Sequence, residues 1–118
     1  MTVQVTNKNK KTRVAGHVVY AKTFLTRLFG LMGKPYLEEN TGLLITPCKE
    51  VHSLFMRFSL DVVFLDKENK VVHLKSTMKP WRVSRYVASA RSVLELNAGS
   101  IQASQIEIGD ELAIEHVN

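Results

Sequence analysis

LDVVFLDKENKVVHLKS, Leu60 to Ser76, is the stretch that decides the fold. Successive side chains of an extended chain point to opposite faces. Leu60, Val62 and Phe64 therefore share one face, and Asp61, Val63 and Leu65 share the other. Both faces are apolar except at Asp61, so this strand is expected to be central and covered on both sides. A second strand follows, with Val71, His73 and Lys75 opposite Val72, Leu74 and Ser76, one face drier than the other. The linker Asp66-Lys67-Glu68-Asn69 suits a type I turn, and Asn69 tolerates the left-handed conformation. The stretch reads as a hairpin whose first strand needs further strands around it.

Those strands are legible on both sides. Gly42 to Thr46, GLLIT, is a short buried strand stopped by Pro47, which has no N–H to give a sheet. Val51 to Phe55 resumes extended structure. Val14 to Ala21 is rich in β-branched residues, and Gly16 within it marks a bulge or a weak point. Thr2 to Thr6 alternates as a short edge strand, within a peripheral or flexible N-terminal arm of residues 1–13. Between these, Phe24, Leu25, Leu28, Leu31 and Met32 follow helical spacing, with Thr23 as N-cap and Gly33 just past the end. A helix is expected over Thr23 to Met32. Downstream, Thr77 to Ala90 has no period, and a loop of that length is usually functional or mobile. Arg91 to Leu96 reads as a strand, Ser100 caps a short helical turn Ile101 to Gln105, and Glu111 to Val117 alternates as a last strand. The expectation is one mainly β domain over residues 1–118: an antiparallel β-sandwich or small barrel, with one short helix in the N-terminal half and a second helical turn near the C-terminus.

A chain of 118 residues holds one domain, and a domain of this size buries roughly 65% of its unfolded surface without needing staples. The single cysteine excludes an internal disulfide and fits a reducing compartment. There is no apolar run for a signal-peptide core near the start and none long enough to span a bilayer. These features predict a cytoplasmic protein. Lys and Arg number 16 against 11 Asp and Glu, a net charge of +5. One basic cluster is Lys8, Lys10, Lys11 and Arg13; another is Lys79, Arg82, Arg85 and Arg91. Acidic residues gather at the other end, in Glu107, Asp110, Glu111 and Glu115. A basic domain can meet acidic metabolites, anionic lipid or nucleic acid, although an excess of lysine and arginine is more often a solvated face.

Several fragments, taken together and in order, resemble the domain-of-unknown-function family 192, an uncharacterised prokaryotic family. They are Gly30-Leu31-Met32, Gly42-Leu43-Leu44, Phe55-Met56-Arg57, Leu60 through Asp66, Pro80-Trp81 with Val83, Val93-Leu94-Glu95-Leu96 with Ala98-Gly99, and Ile108-Gly109-Asp110. The resemblance runs from about Val14 to Ile114. It implies a compact β fold of sandwich type and brings no reaction, cofactor or catalytic residue with it. Many members carry a secretion signal; the N-terminus here shows no such pattern, and the cytoplasmic expectation stands.

Candidate site residues are the polar and aromatic side chains around the central strand. Asp61 must be paired or hydrogen-bonded if buried, either as a pocket anchor with His52 or Arg57 or as a structural clamp on backbone N–H groups. Met56 and Arg57 precede the strand, and Arg57 offers a planar fork to a carboxylate or phosphate, or pairs with Asp61 or Glu95 internally. Trp81 and Arg82, with Arg85, Tyr86 and Arg91, interleave aromatic and basic groups in a way that can stack a base or sugar and attract a phosphate. No CxxC, HxxxH or glycine-rich phosphate loop occurs, and no metal or cofactor is expected. Cys48 beside Pro47 reads as a small buried hydrophobe rather than a nucleophile.

The leading expectation is a non-enzymatic binding module for a small anionic ligand, a glycan or a protein segment. It would bind through His52, Met56, Arg57, Asp61, Trp81, Arg82 and Glu95. The alternatives are a hydrolase-type enzyme using His52, Asp61 and Glu95, and a basic interaction protein docking on an acidic partner. Nucleic acid is a less favoured partner, since no nucleic-acid motif accompanies the basic loop.

Overall fold

The computed structural model describes residues 2–21, 37–54 and 56–117. The helix expected over Thr23 to Met32 lies outside them. Seven strands are present: β1 Thr2–Asn7, β2 Thr12–Ala21, β3 Thr41–Ile45, β4 Leu60–Leu65, β5 Val71–Met78, β6 Ser92–Asn97 and β7 Leu112–His116. They form one sheet in the order β5-β4-β6-β3-β2-β1-β7. The sheet is antiparallel except where β2 runs parallel to β3.

The hairpin at one end of this order, β4–β5, is the one read from the sequence. Every residue of β4 is buried, and β4 pairs with β5 on one side and β6 on the other. Asn69 closes the turn at φ 62°, a left-handed conformation that Asn adopts at little cost. Two apolar clusters line opposite faces of β4. Val63 and Leu65 join one with Leu94, Leu96, Val5 and Ile101. Leu60, Val62 and Phe64 join the other with Leu43, Ile45, Val93 and Met78.

The sheet curls until its ends meet at one corner, giving a half-barrel. The Val71 N–H donates to the Asp110 carbonyl at 2.8 Å, Gly109 N–H to Val71 at 2.8 Å, and Leu112 N–H to Asn69 at 2.9 Å. The N-terminal and C-terminal charge clusters bolt this corner. The Lys10 Nζ lies 2.8 Å from Asp110 Oδ2 and 3.5 Å from Glu107, and Lys8 lies 3.0 Å from Glu111. The Asn7 side chain adds a 3.0 Å hydrogen bond to Asp110.

Three details differ from the sequence reading. β1 is internal rather than an edge, because β7 pairs along its outer side; sequence alternation cannot tell which strand will return to cover it. Ser100 opens the helical turn Ser100–Ala103 instead of capping it: Gly99 holds the cap position at φ 96°, and the Ser100 hydroxyl turns back to Asn97. The described residues of the segment from Val51 form no strand and contribute an isolated bridge, His52 to Val83. Gly16 does sit at an irregularity, where the β1–β2 register shifts between Val3 and Val5. A Cβ there would meet the Asn40 side chain at 2.6 Å.

Candidate functional site

The loop from Lys79 to Arg91 is tied down by the segment before β4. Ser53, fully buried, is the knot. Its hydroxyl donates to the Lys79 carbonyl at 2.6 Å and accepts from the Arg82 N–H at 3.0 Å. Its backbone carbonyl accepts from Trp81 N–H at 2.9 Å, and its N–H donates to the Arg82 carbonyl at 2.8 Å. Ser84 N–H to Val51 and Val87 N–H to Lys49, both 2.8 Å, continue the lacing. Trp81 is held at φ 64°, a conformation that costs a bulky residue about 1–3 kcal/mol and persists only when the surroundings enforce it. Its side chain stays 56% exposed beside exposed Val83 and Tyr86.

Between this loop and β5 lies an open cleft of about 520 Å³. Four cations line it: Lys75 from the strand and Lys79, Arg82 and Arg85 from the loop. Leu74, Met78 and Val83 supply apolar surface, and no carboxylate is among the lining residues. His73 lines the same cleft, its ring 5.3 Å from that of Phe64. Burial, and then the positive charges of Arg85 and Lys75, hold its pKa below the ordinary 6.5. The lining therefore presents positive charge with a neutral imidazole among it, an arrangement suited to an anion.

The contrast with the other basic cluster is informative. Lys8 and Lys10 spend their charge on Glu111, Glu107 and Asp110. No lining residue of the cleft offers its four cations a carboxylate.

The sequence relatives agree with the fold. The DUF192 family, an uncharacterized ACR, matches over residues 3–114. The chain belongs to the DUF192 family. A UPF0127 protein of Thermococcus sibiricus is 38% identical over 112 residues, 90% of this chain and 71% of that one. A UPF0127 protein of Pyrococcus abyssi is 32% identical over 116 residues, 92% and 94% of the two chains. The crystal structure of a protein of unknown function from Novosphingobium aromaticivorans superposes with a TM-score of 0.79 at 21% identity, over 96% of this chain and 84% of the other. That likeness speaks for the fold.

In this DUF192 protein the residues singled out from sequence scatter. Arg82 lines the cleft and Trp81 stands on the same loop. His52 belongs to the lacing: it bridges Val83, and its Nδ1 accepts the Leu54 N–H at 3.3 Å. Met56 is buried in the second apolar cluster, and Arg57 is exposed. Asp61 is a buried clamp. Its carboxylate accepts the N–H groups of Thr77 at 2.8 Å, Gly99 at 3.1 Å and Ile101 at 2.8 Å.

Asp61 and Glu95 do not converge. Asp61 stands opposite Leu96, and Glu95 opposite Val62. Opposed residues share a face and neighbours alternate, so the two carboxylates point to opposite sides of the sheet. Asp61 faces the cluster of Val63 and Ile101, and Glu95 the cluster of Val62 and Leu43. The pairing that a His52–Asp61–Glu95 hydrolase needs is not formed by this sheet.

The sequence reading missed the contribution of β5. His73 and Lys75 sit two apart on one strand face, before a loop that brings three further cations to the cleft. That spacing is the available signal, although each residue alone reads as an ordinary polar position. Among the described residues no group of three or more His, Cys, Asp or Glu side chains is placed to hold a metal. No helix among them is long and apolar enough to cross a membrane.

Proposed function

We propose that this DUF192 protein is a non-enzymatic binding module for an anionic ligand, working in the cytoplasm, with the cleft between β5 and the Lys79–Arg85 loop as its site. The observation that carries the reading is the cation excess of the cleft: Lys75, Lys79, Arg82 and Arg85 with no lining carboxylate. The lacing through Ser53 supports it, because a loop fixed before binding spends less free energy on ordering when a ligand arrives. Arg82 and Arg85 would supply planar, forked donors, and the lysines point charge. Trp81 stands beside the cleft as an exposed aromatic surface for the body of a larger ligand. The cytoplasmic part of the reading draws on the single cysteine.

The test is a thermal-shift series with sulfate, phosphorylated metabolites and dicarboxylates. A ligand at ~100 times its dissociation constant stabilises the fold by about 2.7 kcal/mol, a shift of several degrees for a domain of this size. The shift should vanish in the Arg82→Ala, Arg85→Ala double variant. A flat series, or shifts unchanged in that variant, would remove the cleft as the site.

A further inference from the structure

We infer that the ligand of the basic cleft is an acidic, extended segment of another protein that adds as a strand along the edge of β5 that no other described strand covers; the inference rests on the anion-binding reading above. β5 ends the sheet order, so among the described residues β4 is the one strand along it. The backbone hydrogen bonds that close the half-barrel reach Asn69 and Val71. Among the described residues no further strand covers the run from His73 to Ser76, and that edge offers backbone donors and acceptors to an incoming chain; past it the Thr77 N–H is already given to Asp61 and Thr77 turns to φ 52°.

The cleft meets β5 at this edge. His73, Leu74 and Lys75 are consecutive and all line it. Because consecutive side chains point to opposite faces, an opening on either face of the sheet would meet alternate residues. An opening at the edge meets all three. The extended run from His73 to Ser76 covers ~10 Å at ~3.3 Å per residue, enough to pair with a short added strand. Opposite stands the loop, carrying Lys79, Arg82 and Arg85.

The charges choose the partner. A second copy of β5 would bring Lys75 against another cationic edge, a repulsion that natural edges use to prevent self-pairing. A segment with acidic residues at alternate positions is instead drawn in, its backbone pairing with β5 and its carboxylates reaching the cations. A small anion would use the charge alone and leave the edge bare.

The experiment compares two labelled peptides of alternating threonine and glutamate, one normal and one with every backbone N–H methylated, by fluorescence anisotropy against the full chain. Both carry the same charge, and the second cannot donate to a strand edge. The normal peptide should bind, lose affinity in the Arg82→Ala, Arg85→Ala variant, and slow amide exchange along His73 to Ser76. Methylation should weaken it at least tenfold, about 1.4 kcal/mol. Equal binding of the two peptides overturns strand addition, and so does tighter binding of a single-stranded oligodeoxynucleotide. If sulfate shifts the melting point in the same buffer while neither peptide binds, the anion-binding reading survives and the peptide inference falls. If neither sulfate nor peptide binds, both fall.

Discussion

The Ile101 N–H donates to the Asp61 carboxylate across 2.8 Å, although the two residues lie 40 positions apart. With the Gly99 and Thr77 N–H groups on the same carboxylate, one side chain of β4 fastens both the end of β5 and the helical turn after β6. The turn has no side-chain cap of its own; Asp61 takes that role from a distance. Asp61→Ala orphans three backbone donors and is expected to cost about 3 kcal/mol, given ~1–3 kcal/mol for each buried donor left unsatisfied and partial rescue by water. Asp61→Asn, which keeps one acceptor oxygen, should cost roughly half as much. Urea unfolding measures both, and a wild-type midpoint for Asp61→Ala would show that the clamp is dispensable.

Ser53 makes the second prediction. Its hydroxyl joins the Lys79 carbonyl to the Arg82 N–H in a fully buried position. Ser53→Ala should lower stability by about 1–2 kcal/mol and free the loop from its fixed course. Hydrogen exchange of the Trp81 and Arg82 amides should accelerate more than that of β4 and β6. Uniform acceleration would mean that Ser53 supports the whole fold and does not specifically hold the loop.

Much of the framework was legible because it depends on local pattern. The β4–β5 hairpin, its turn with Asn69 in the left-handed region, and the strands near Gly42, Arg91 and Glu111 all follow from alternation and turn chemistry. The parts that escaped depend on what comes together from far away. Nothing local to Thr2–Thr6 says that β7 will pair along it, and nothing local to Gly99 says that Asp61 will cap the turn. The site was half legible for the same reason. The basic loop can be read from Lys79, Arg82 and Arg85, and His52 and Asp61 are expected to bind beside it. His52 is instead taken up in the lacing and Asp61 in clamping backbone, and β5 supplies the wall that faces the loop.

The corner where the half-barrel closes should be acid-sensitive. Burial alone pushes the Asp110 carboxyl up, but hydrogen bonds from Lys10 and Asn7, the Glu107 N–H and the Lys10 charge outweigh it and leave the pKa below the ordinary 3.8. A carboxylate depressed in the folded state contributes stability that is present above its unfolded pKa and lost as pH falls through the folded one. Stability should therefore fall as pH drops below about 4. Asp110→Asn should flatten that part of the pH–stability curve and cost about 2 kcal/mol at neutral pH, the scale of a hydrogen bond to a charged group. Chemical denaturation across the acid range reads both effects, and an unchanged slope would remove Asp110 as their source.

His73 reports on the cleft itself. Its pKa is held down by burial and by Arg85 and Lys75, so the folded protein keeps the ring neutral at a pH where the unfolded chain has begun to protonate. Its contribution to stability is complete above the ordinary 6.5 and declines as pH falls from there through the depressed folded value. An anion bound among Lys75, Lys79, Arg82 and Arg85 offsets the cations that disfavour the imidazolium. Sulfate, which stays doubly charged throughout this range, should raise the His73 pKa toward its ordinary value. By linkage, sulfate should then bind more tightly as pH falls through the same window. Arg85→Gln removes one of those two charges and should raise the His73 pKa without any ligand, while weakening sulfate binding about tenfold, or about 1.4 kcal/mol. Imidazole NMR titrations with and without sulfate measure each shift. A His73 titration indifferent to sulfate at concentrations that move the melting point would place the bound anion somewhere other than this cleft.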